Sequence, residues 1–423
     1  MRDKSFYQGG IIKTIFPNGF ELLPNTNQLW EIDMAYGELE TLKTKKNLIE
    51  RGAFFGKVDG KETNHYKICK ASPLQVDKDS SIRRQTFFSV NQFKTGYATH
   101  GLFPYRGKFH PQLIKAIINI IRLKKGETVL DPMAGSGTVC IEAAINGINS
   151  IGVDISPFCS LMTRAKTQAL MVDIDELKAV LNDNMAEMAA VKEKEYQGNL
   201  FEVKPEAKKS SPKTEQHAKY REITLLCYLD AVGYAARRVN KTGKQLFPVI
   251  VQRYVAATEQ FQIVREELGL KLGDVDVRTG DARKLDLPDN SVDGIITSPP
   301  YSFAIDYAEN DRPQLEYLGF NTEELKTRMI GLVGGKSVPA RVKEYFKDMR
   351  TVFGEMSRVL KPKCCCVVVI GSNEIQTGGI RHEVEFAKFG EEVGFKLFWK
   401  MTRPIEGIHN SMRDEYVMFF EKL

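Results

Sequence analysis

The sequence lacks any hydrophobic run long enough to cross a membrane, although 42% of its 423 residues are hydrophobic. A membrane-spanning helix needs about 20 consecutive apolar residues, so we expect no contact with a lipid bilayer. The first ten residues also lack the apolar core of a signal peptide. These absences predict a cytoplasmic globular protein. The chain length corresponds to two or three domains of roughly 150 residues.

Cysteine is scarce, and its spacing does not suit metal binding. Seven cysteines occur, three of them in the run Cys364-Cys365-Cys366. The sequence contains no CxxC pair and no Cys/His ligand spacing. The run lies in a very apolar predicted strand, which favours small buried thiols. We therefore predict no metal site.

Acidic residues are outnumbered by basic ones, and the excess is concentrated in one segment. The net charge is +6, and residues 192–245 contain 12 Lys/Arg against 7 Asp/Glu. This distribution is compatible with a nucleic acid as partner, although many enzymes are equally basic.

The middle and C-terminal parts of the chain alternate strands and helices. A helical run at 108–122 precedes a buried strand at 128–130, a glycine loop, a helix and a second strand at 150–153. A strand–loop–helix–strand unit implies a parallel sheet. Helical spacing dominates 158–190 and 221–269. Further strands are predicted at 275–277, 292–297, 364–370, 396–402 and 415–421, with a helix near 383–393. Nearer the N-terminus, the pattern predicts a strand at 11–16, a helix at 34–48 and a linker at 78–84.

The glycine loop is the first candidate ligand site. It reads Asp131-Pro132-Met133-Ala134-Gly135-Ser136-Gly137-Thr138, after a strand and before a helix. Glycines let the backbone approach a ligand without Cβ clashes, and the helix N–H groups then face that ligand. No lysine follows the second glycine, so a phosphate-binding P-loop is disfavoured.

A second loop follows the strand at 292–297 and reads Thr297-Ser298-Pro299-Pro300-Tyr301. Consecutive prolines have no N–H donors and must end the strand. The result is a stiff loop that presents a hydroxyl, free carbonyls and an aromatic ring. Such a loop suits the binding of a flat base through its exocyclic amine and its face, and the alternative is a merely rigid turn.

Together, the DPxxGSGT and SPPY motifs resemble those of S-adenosylmethionine-dependent amino-methyltransferases that act on DNA bases, over residues 86–423. The resemblance implies an α/β fold of the Rossmann-like class I methyltransferase type. Its sheet is mostly parallel and seven-stranded, with a C-terminal antiparallel hairpin and a helical insertion. Residues 1–85 form an N-terminal region of unknown role outside the resemblance.

The resemblance also implies roles for individual residues. Asp154 and Asp281 end the second and third strands, where a carboxylate can accept hydrogen bonds from the ribose and the adenine amine of S-adenosylmethionine; the alternative for each is a helix cap or turn. The predicted cofactor-binding residues are Lys108, Phe109, Asp131, Ala134, Gly135, Gly137, Thr138, Asp154, Asp281 and Ala282. The predicted catalytic residues are Ser298, Pro299, Pro300 and Tyr301.

In the predicted chemistry, Ser298 Oγ and the Pro299 carbonyl accept the two hydrogens of a base amine, which favours a pyramidal and more nucleophilic nitrogen. Tyr301 stacks on the base, which must be flipped out of the duplex. The expected partners are double-stranded DNA and a cognate restriction endonuclease. The insertion at 158–272 is the candidate DNA-recognition segment, with phosphate contacts predicted from Lys208, Lys209, Lys213, Arg237, Arg238, Lys241 and Lys244. Solvated helical faces are the alternative for these basic residues.

Several alternatives remain open from the sequence. A serine before the prolines favours cytosine N4 over adenine N6, but the glycine loop precedes the SPPY loop, the reverse of many N4-cytosine enzymes. A tRNA guanine-N2 methyltransferase is a second hypothesis, supported by the faint resemblance of residues 33–42 to an N-terminal RNA-binding domain. A non-catalytic scaffold of the same fold is the third hypothesis, disfavoured because both loops are intact.

Overall fold

Seven strands form one large sheet at the centre of the protein. The computed structural model of the chain describes residues 13–73, 92–105, 107–190, 212–235, 241–300, 306–333, 337–371, 377–404 and 414–423. The large sheet contains β4 Thr128–Asp131, β5 Asn149–Asp154, β6 Val275–Thr279, β7 Val292–Thr297, β8 Leu360–Gly371, β9 Phe395–Pro404 and β10 Asp414–Lys422. A smaller three-stranded sheet contains β1 Phe20–Leu22, β2 Phe55–Val58 and β3 Lys61–Glu62.

The order of the large sheet is β6-β5-β4-β7-β8-β10-β9. Strands β4 to β8 pair in parallel, and Leu130 of β4 lies between Ile151 and Ile295 of its neighbours. Strand β10 runs antiparallel to both β8 and β9. The predicted α/β class I methyltransferase fold, with its C-terminal antiparallel hairpin, is therefore confirmed.

Helices cover both faces of this sheet. The helices of the described chain, including those that do not touch the sheet, are α1 Leu29–Leu42, α2 Lys45–Arg51, α3 Asn64–Ala71, α4 Gln92–Thr95, α5 Pro111–Ile120, α6 Thr138–Ile145, α7 Pro157–Gln168, α8 Ile174–Ala190, α9 Pro212–Lys219, α10 Arg221–Ala235, α11 Gly243–Glu267, α12 Tyr307–Asn310, α13 Arg312–Tyr317, α14 Thr322–Lys326, α15 Val338–Val359 and α16 His382–Glu392. Within the described ranges, none of them is long and apolar enough to cross a membrane.

The alternation of side chains along the strands separates two hydrophobic cores. Val129 and Ile296 pack in the core that contains α5 and α6. Leu130 and Ile295, their neighbours in the chain, pack in the core that contains α15 and α16. Because successive strand residues point to opposite faces, strands that are apolar throughout require cover on both sides.

The N-terminal residues 13–73 share the first of these cores with the large sheet. The carboxylate of Glu38 on α1 is fully buried, and it accepts hydrogen bonds from Asn119 Nδ2 at 2.6 Å and from the Ala53 amide at 2.9 Å. Burial raises the pKa of Glu38 to about 7. The N-terminal region is thus packed directly against helix α5 by apolar and polar contacts.

Two predictions for this region were wrong. Residues 13–15 are helical, and the strand follows the Pro-Asn-Gly turn instead of preceding it. The helix predicted at 34–48 is two helices, because Lys43 has a left-handed φ of 57° and Thr44 caps the second helix. The linker predicted at 78–84 lies outside the described residues.

In its described parts the segment between β5 and β6 consists of α7 to α11, of which α9 lies outside the two stretches predicted to be helical. These helices enclose a core of their own that includes Leu181, Leu226 and Phe247. The last residues of α10 contact α13, since a Cβ added at Gly233 would lie 2.5 Å from Gln314 Nε2. The helical segment therefore adjoins the region that follows β7.

Candidate active site

One cleft at the carboxyl ends of the parallel strands brings together the two loops predicted from the sequence. Its volume is about 1000 Å³, counting the open mouth. Of the predicted site residues, the cleft is lined by Lys108, Phe109, Ala134, Gly135, Thr138, Asp154, Asp281, Ala282, Ser298 and Pro300. Asp131, Gly137 and Pro299 adjoin these residues in the chain without lining the cleft themselves. Tyr301 lies outside the described residues.

The glycine loop turns between β4 and α6 in a conformation that needs its two glycines. Gly135 and Gly137 have φ values of +52° and +77°, a region that other residues seldom adopt. A Cβ at Gly137 would lie 2.7 Å from the methyl carbon of Thr163, which leaves no room for a side chain. Among the described residues, a Cβ at Gly135 would come within 4 Å of Tyr105 alone, at 3.9 Å, and Gly135 lines the cleft, so this part of the backbone faces the cleft.

The carboxylate of Asp154 holds this loop in place. Its Oδ2 accepts a hydrogen bond from the Gly135 amide at 2.8 Å, and its Oδ1 accepts one from the Ser156 amide at 2.8 Å. Burial raises the pKa of Asp154 to about 6, against the lowering effect of these two hydrogen bonds. Because a carboxylate oxygen can accept two hydrogen bonds, Asp154 can still accept from a ligand hydroxyl in the cleft.

Asp131 lies beneath the cleft and links its two loops. The Oδ1 atom accepts hydrogen bonds from Thr297 Oγ1 at 2.8 Å and from the Met133 amide at 3.2 Å. The side chain is 1% exposed, and burial raises its pKa to about 7. Since Thr297 directly precedes Ser298, this carboxylate connects the start of the glycine loop to the start of the proline loop.

The proline loop is anchored on both sides of its first proline. Ser298 donates its hydroxyl hydrogen to the Val369 carbonyl on β8 at 3.1 Å. The Pro300 carbonyl accepts a hydrogen bond from the Tyr345 hydroxyl at 2.9 Å. Tyr345 lies on α15, is 1% exposed, and was not singled out by the sequence analysis. A serine that donates to the protein can act toward a ligand only as an acceptor.

Asp281 lines the cleft, but its carboxylate is also paired with Arg283, whose Nη2 lies 2.7 Å from Oδ2. Burial alone raises the pKa of Asp281, and the hydrogen bonds and charge of Arg283 outweigh it and hold that pKa below its ordinary value. The side chain thus stays ionised at neutral pH. It presents a fixed carboxylate at the end of the cleft formed by the turn after β6.

Lys108 lines the cleft, while its ammonium group is hydrogen-bonded to carbonyls of the protein. The Nζ atom donates to the carbonyls of Thr95 at 2.9 Å and His100 at 3.1 Å. Burial lowers the pKa of Lys108 to about 8. Lys108 therefore ties its own loop to residues 95–100, so its charge is not directed at a ligand.

Other lining residues were not predicted individually, although Pro132, Met133 and Ser136 belong to the predicted glycine loop. Tyr105 and Tyr307 form parallel rings, with centroids 6.5 Å apart and an angle of 14°. Aromatic residues beside the two motifs were a usable signal for these. The others are Gly107, Pro132, Met133, Ser136, Ile155, Ser156, Cys159, Ala308, Asp311, Met329, Ile330 and Leu332. Met329 to Leu332 belong to no motif, so only the folded chain reveals them.

The basic residues predicted to contact DNA are only partly described. Lys208, Lys209, Arg237 and Arg238 lie outside the described residues, and Lys213 lies in α9. Lys241 is exposed just before the Thr242 cap of α11, and Lys244 lies in the first turn of that helix. Neither of these two lines the cleft. In the described ranges, no group of three or more His, Cys, Asp or Glu side chains forms a candidate metal site.

The sheet order and the cleft at the carboxyl ends of its parallel strands are those of the class I S-adenosylmethionine-dependent methyltransferase fold. The residues present fit this cofactor: a glycine backbone accessible from the cleft, two carboxylates at successive strand ends, and apolar walls that include Ile155 and Met329. Hydroxyl and amine donors of the cofactor match the acceptors, and the apolar walls match its purine ring.

Comparison with known proteins agrees with this class. The family model described as UPF0020, RMKL-like, methyltransferase domain matches residues 102–210. The type II methyltransferase M.MjaII of Methanocaldococcus jannaschii is 33% identical over 32% of this chain and 28% of its own length. The type II methyltransferase M.BsoBI of Geobacillus stearothermophilus is 23% identical over 64% of this chain and 63% of its own length. A tRNA (guanine(10)-N2)-dimethyltransferase of Methanothermobacter thermautotrophicus is 33% identical over 19% of this chain and 24% of its own length.

The chain is similar to S-adenosylmethionine-dependent methyltransferases, as its motifs predict, and the relatives that it matches include type II DNA methyltransferases. The matches span 28% and 63% of the lengths of M.MjaII and M.BsoBI. Substrate and partners therefore belong to the proposal that follows.

Proposed function

We propose that the protein is a DNA methyltransferase that transfers a methyl group from S-adenosylmethionine to an exocyclic base amine, with cytosine N4 favoured over adenine N6. One observation carries the proposal: the glycine loop and the Ser-Pro-Pro loop line the same cleft, with Gly135, Ser298 and Pro300 all on its wall. A methyl donor bound at the first loop and a base amine bound at the second would be neighbours, as direct transfer requires.

The cofactor supplies an electrophilic methyl group on a sulfonium centre. The task of the protein is to make the base nitrogen a better nucleophile, because the lone pair of an exocyclic amine is delocalised into the ring. Ser298 is suited to this task, since its hydrogen is donated to Val369 and its oxygen can accept an amine hydrogen. Such an acceptor stabilises the charge that develops on the nitrogen during transfer.

Two buried side chains position the Ser-Pro-Pro loop for this role. Tyr345 holds the Pro300 carbonyl, and Asp131 holds Thr297, so the loop is fixed at both ends. A fixed acceptor needs no reorganisation when charge develops, which is the physical source of its catalytic effect. The Pro299 carbonyl is the second proposed acceptor, and Tyr301 is the proposed stacking residue.

The helical segment between β5 and β6 is the proposed DNA-recognition element. It adjoins the cleft through the contact between Gly233 and Gln314, three residues after the lining residue Asp311. Lys241 and Lys244 follow closely in the chain and would neutralise phosphates, together with Lys208, Lys209, Lys213, Arg237 and Arg238. The target base would be flipped from the duplex into the cleft.

The preference for cytosine rests on Ser298, because serine before the two prolines leans toward N4-cytosine in the family that the motif resembles. A cognate restriction endonuclease is the proposed partner, supported by the type II methyltransferases among the relatives. The similarity to a tRNA (guanine(10)-N2)-dimethyltransferase supports RNA as the second candidate substrate.

A labelling experiment tests both candidates. The protein is incubated with tritiated S-adenosylmethionine and either unmethylated duplex DNA or bulk tRNA, and the modified base is identified after digestion. N4-methylcytosine in the DNA sample is the expected product. N6-methyladenine in the DNA sample would show that the target base is adenine instead of cytosine and would leave the proposal of a DNA methyltransferase in place. Label confined to tRNA would refute the DNA proposal and favour guanine N2.

A further inference from the structure

Arg283 connects three parts of the chain at one end of the cleft. Its Nη2 donates to Asp281 Oδ2 at 2.7 Å and to the Arg328 carbonyl at 2.7 Å, and its Nη1 donates to Asp348 Oδ2 at 3.0 Å. Asp281 lines the cleft, and Arg328 directly precedes the lining residue Met329. One guanidinium therefore joins the turn after β6, the loop before α15, and α15 itself.

The same contacts decide which acceptor atoms of Asp281 remain for a ligand. Oδ1 accepts from the Arg283 amide at 2.9 Å and from Arg283 Nε at 3.0 Å, which fills its two lone pairs. Oδ2 accepts from Nη2 at 2.7 Å and, more weakly, shares the Nε hydrogen with Oδ1 at 3.2 Å, so its second lone pair is only partly engaged. The Asp281 side chain is 29% exposed at the cleft, so the acceptor capacity left for a ligand lies mainly on Oδ2.

The planar fork of arginine is what makes this arrangement rigid. A bidentate guanidinium–carboxylate pair fixes both the distance and the plane of the carboxylate, whereas a lysine ammonium fixes neither. Asp348 is the outer anchor, with its side chain 11% exposed on α15. Asp348 thus fixes the guanidinium of Arg283, which in turn orients the carboxylate of Asp281 at the cleft.

We infer that Arg283 is a positioning residue for recognition of the cofactor's amino-substituted purine: it directs the remaining acceptor of Asp281 toward an exocyclic amine and holds the apolar segment 329–332 beside it. This inference rests on the proposed use of Asp281 in the cofactor site, and it adds the element that makes the carboxylate selective. In a purine with a 6-oxo group in place of the amine, the oxo oxygen and the Asp281 carboxylate would both be acceptors, so no hydrogen bond could form between them.

Arg358 provides a matched control. It lies on the same helix as Asp348, and its guanidinium also pairs with carboxylates, Glu355 and Asp289, and with the carbonyls of Leu285 and Leu287. None of these partners lines the cleft. Loss of Arg358 therefore removes a comparable set of contacts without touching Asp281.

The test is calorimetric binding of S-adenosylhomocysteine and of S-inosylhomocysteine, its 6-oxo counterpart, to the full chain. We expect the wild type to prefer the adenosyl ligand by roughly 10- to 100-fold, the usual value of a hydrogen bond to a charged acceptor. In Arg283→Met the preference should fall below about threefold, and in Arg358→Met it should stay at the wild-type value. Asp348→Ala should lower it by about threefold.

The outcomes separate two failures. If the wild type discriminates and both Arg283→Met and Asp348→Ala keep the full preference, the role of Arg283 is refuted. Should Arg283→Met fail to fold, Asp348→Ala alone decides, and an unchanged preference in that variant is then the refuting result. A wild type that binds neither ligand would refute the cofactor site itself.

Discussion

Replacing Ser298 with alanine tests the proposed chemistry directly. The substitution removes one hydrogen bond to the Val369 carbonyl, 3.1 Å long, and one acceptor on the wall of the cleft. Loss of the internal hydrogen bond should cost about 0.5–1.5 kcal/mol of unfolding free energy. Loss of an acceptor that acts on developing charge should cost roughly 3–4 kcal/mol of activation free energy, a 100- to 1000-fold fall in turnover.

The assay combines two measurements on the same protein: the rate of methyl transfer to duplex DNA at saturating cofactor, and the dissociation constant of S-adenosylhomocysteine. We expect Ser298→Ala to change that dissociation constant by less than about threefold, or roughly 0.7 kcal/mol, because the acceptor serves the amine. Equal loss of turnover and of cofactor affinity would refute this role.

Ser136→Ala is the matched control for a hydroxyl in the same cleft. Ser136 lies in the glycine loop, with its Oγ 3.3 Å from Thr138 Oγ1. Its loss should act mainly on cofactor affinity and little on the rate at saturation, the reverse of the effect expected for Ser298. If both variants behave alike, the two ends of the cleft are not functionally distinct.

Three further predictions concern the glycine loop and its supports. Burial raises the pKa of Asp154 to about 6, and a carboxylate accepts hydrogen bonds better than a carboxylic acid. The affinity for S-adenosylhomocysteine should therefore rise several-fold between pH 5 and pH 7, as Asp154 loses its proton. Calorimetry on Asp154→Asn should show no such rise. Thr297→Val removes the hydroxyl that donates to the buried carboxylate at the end of β4, so the free energy of unfolding in urea should fall by about 1–3 kcal/mol, with an unchanged midpoint as the contrary result. Gly137→Ala should lower the free energy of unfolding more than Gly135→Ala. Both substitutions incur the roughly 1–2 kcal/mol cost of a left-handed φ, but only the Cβ at residue 137 would lie 2.7 Å from Thr163. Equal urea midpoints for the two variants would contradict a steric clash at residue 137.

The strands of the large sheet were predictable because their signal is local. The strand predicted at 292–297 has those bounds in the structure, and the one predicted at 128–130 is extended only by Asp131. A run of apolar residues that ends at a proline pair or a glycine loop has few alternatives. The fold class follows from the alternation of such strands with helices.

Where tertiary contacts compete with local pattern, the prediction failed. The apolar spacing of residues 34–48 favours one helix, yet the chain turns at Lys43 and packs a second helix beside the small sheet. Similarly, residues 13–15 have strand-like composition and form a helical turn, next to Phe16, which packs edge-on against Phe55 at 5.7 Å. Packing partners distant in sequence decide such segments.

By itself, the sequence determined the kinds of atoms available at the site: accessible glycine backbone, carboxylates at strand ends, and a serine before two prolines. Local chemistry suffices for this, because each motif carries its own turn geometry. Only the tertiary structure decided how those atoms are used. It placed Asp131 beneath the cleft, directed the hydrogen of Ser298 to Val369, and paired Asp281 with Arg283. Hydrogen-bond partners are assigned by which groups folding brings within about 3 Å of one another, and that proximity does not appear in a linear pattern.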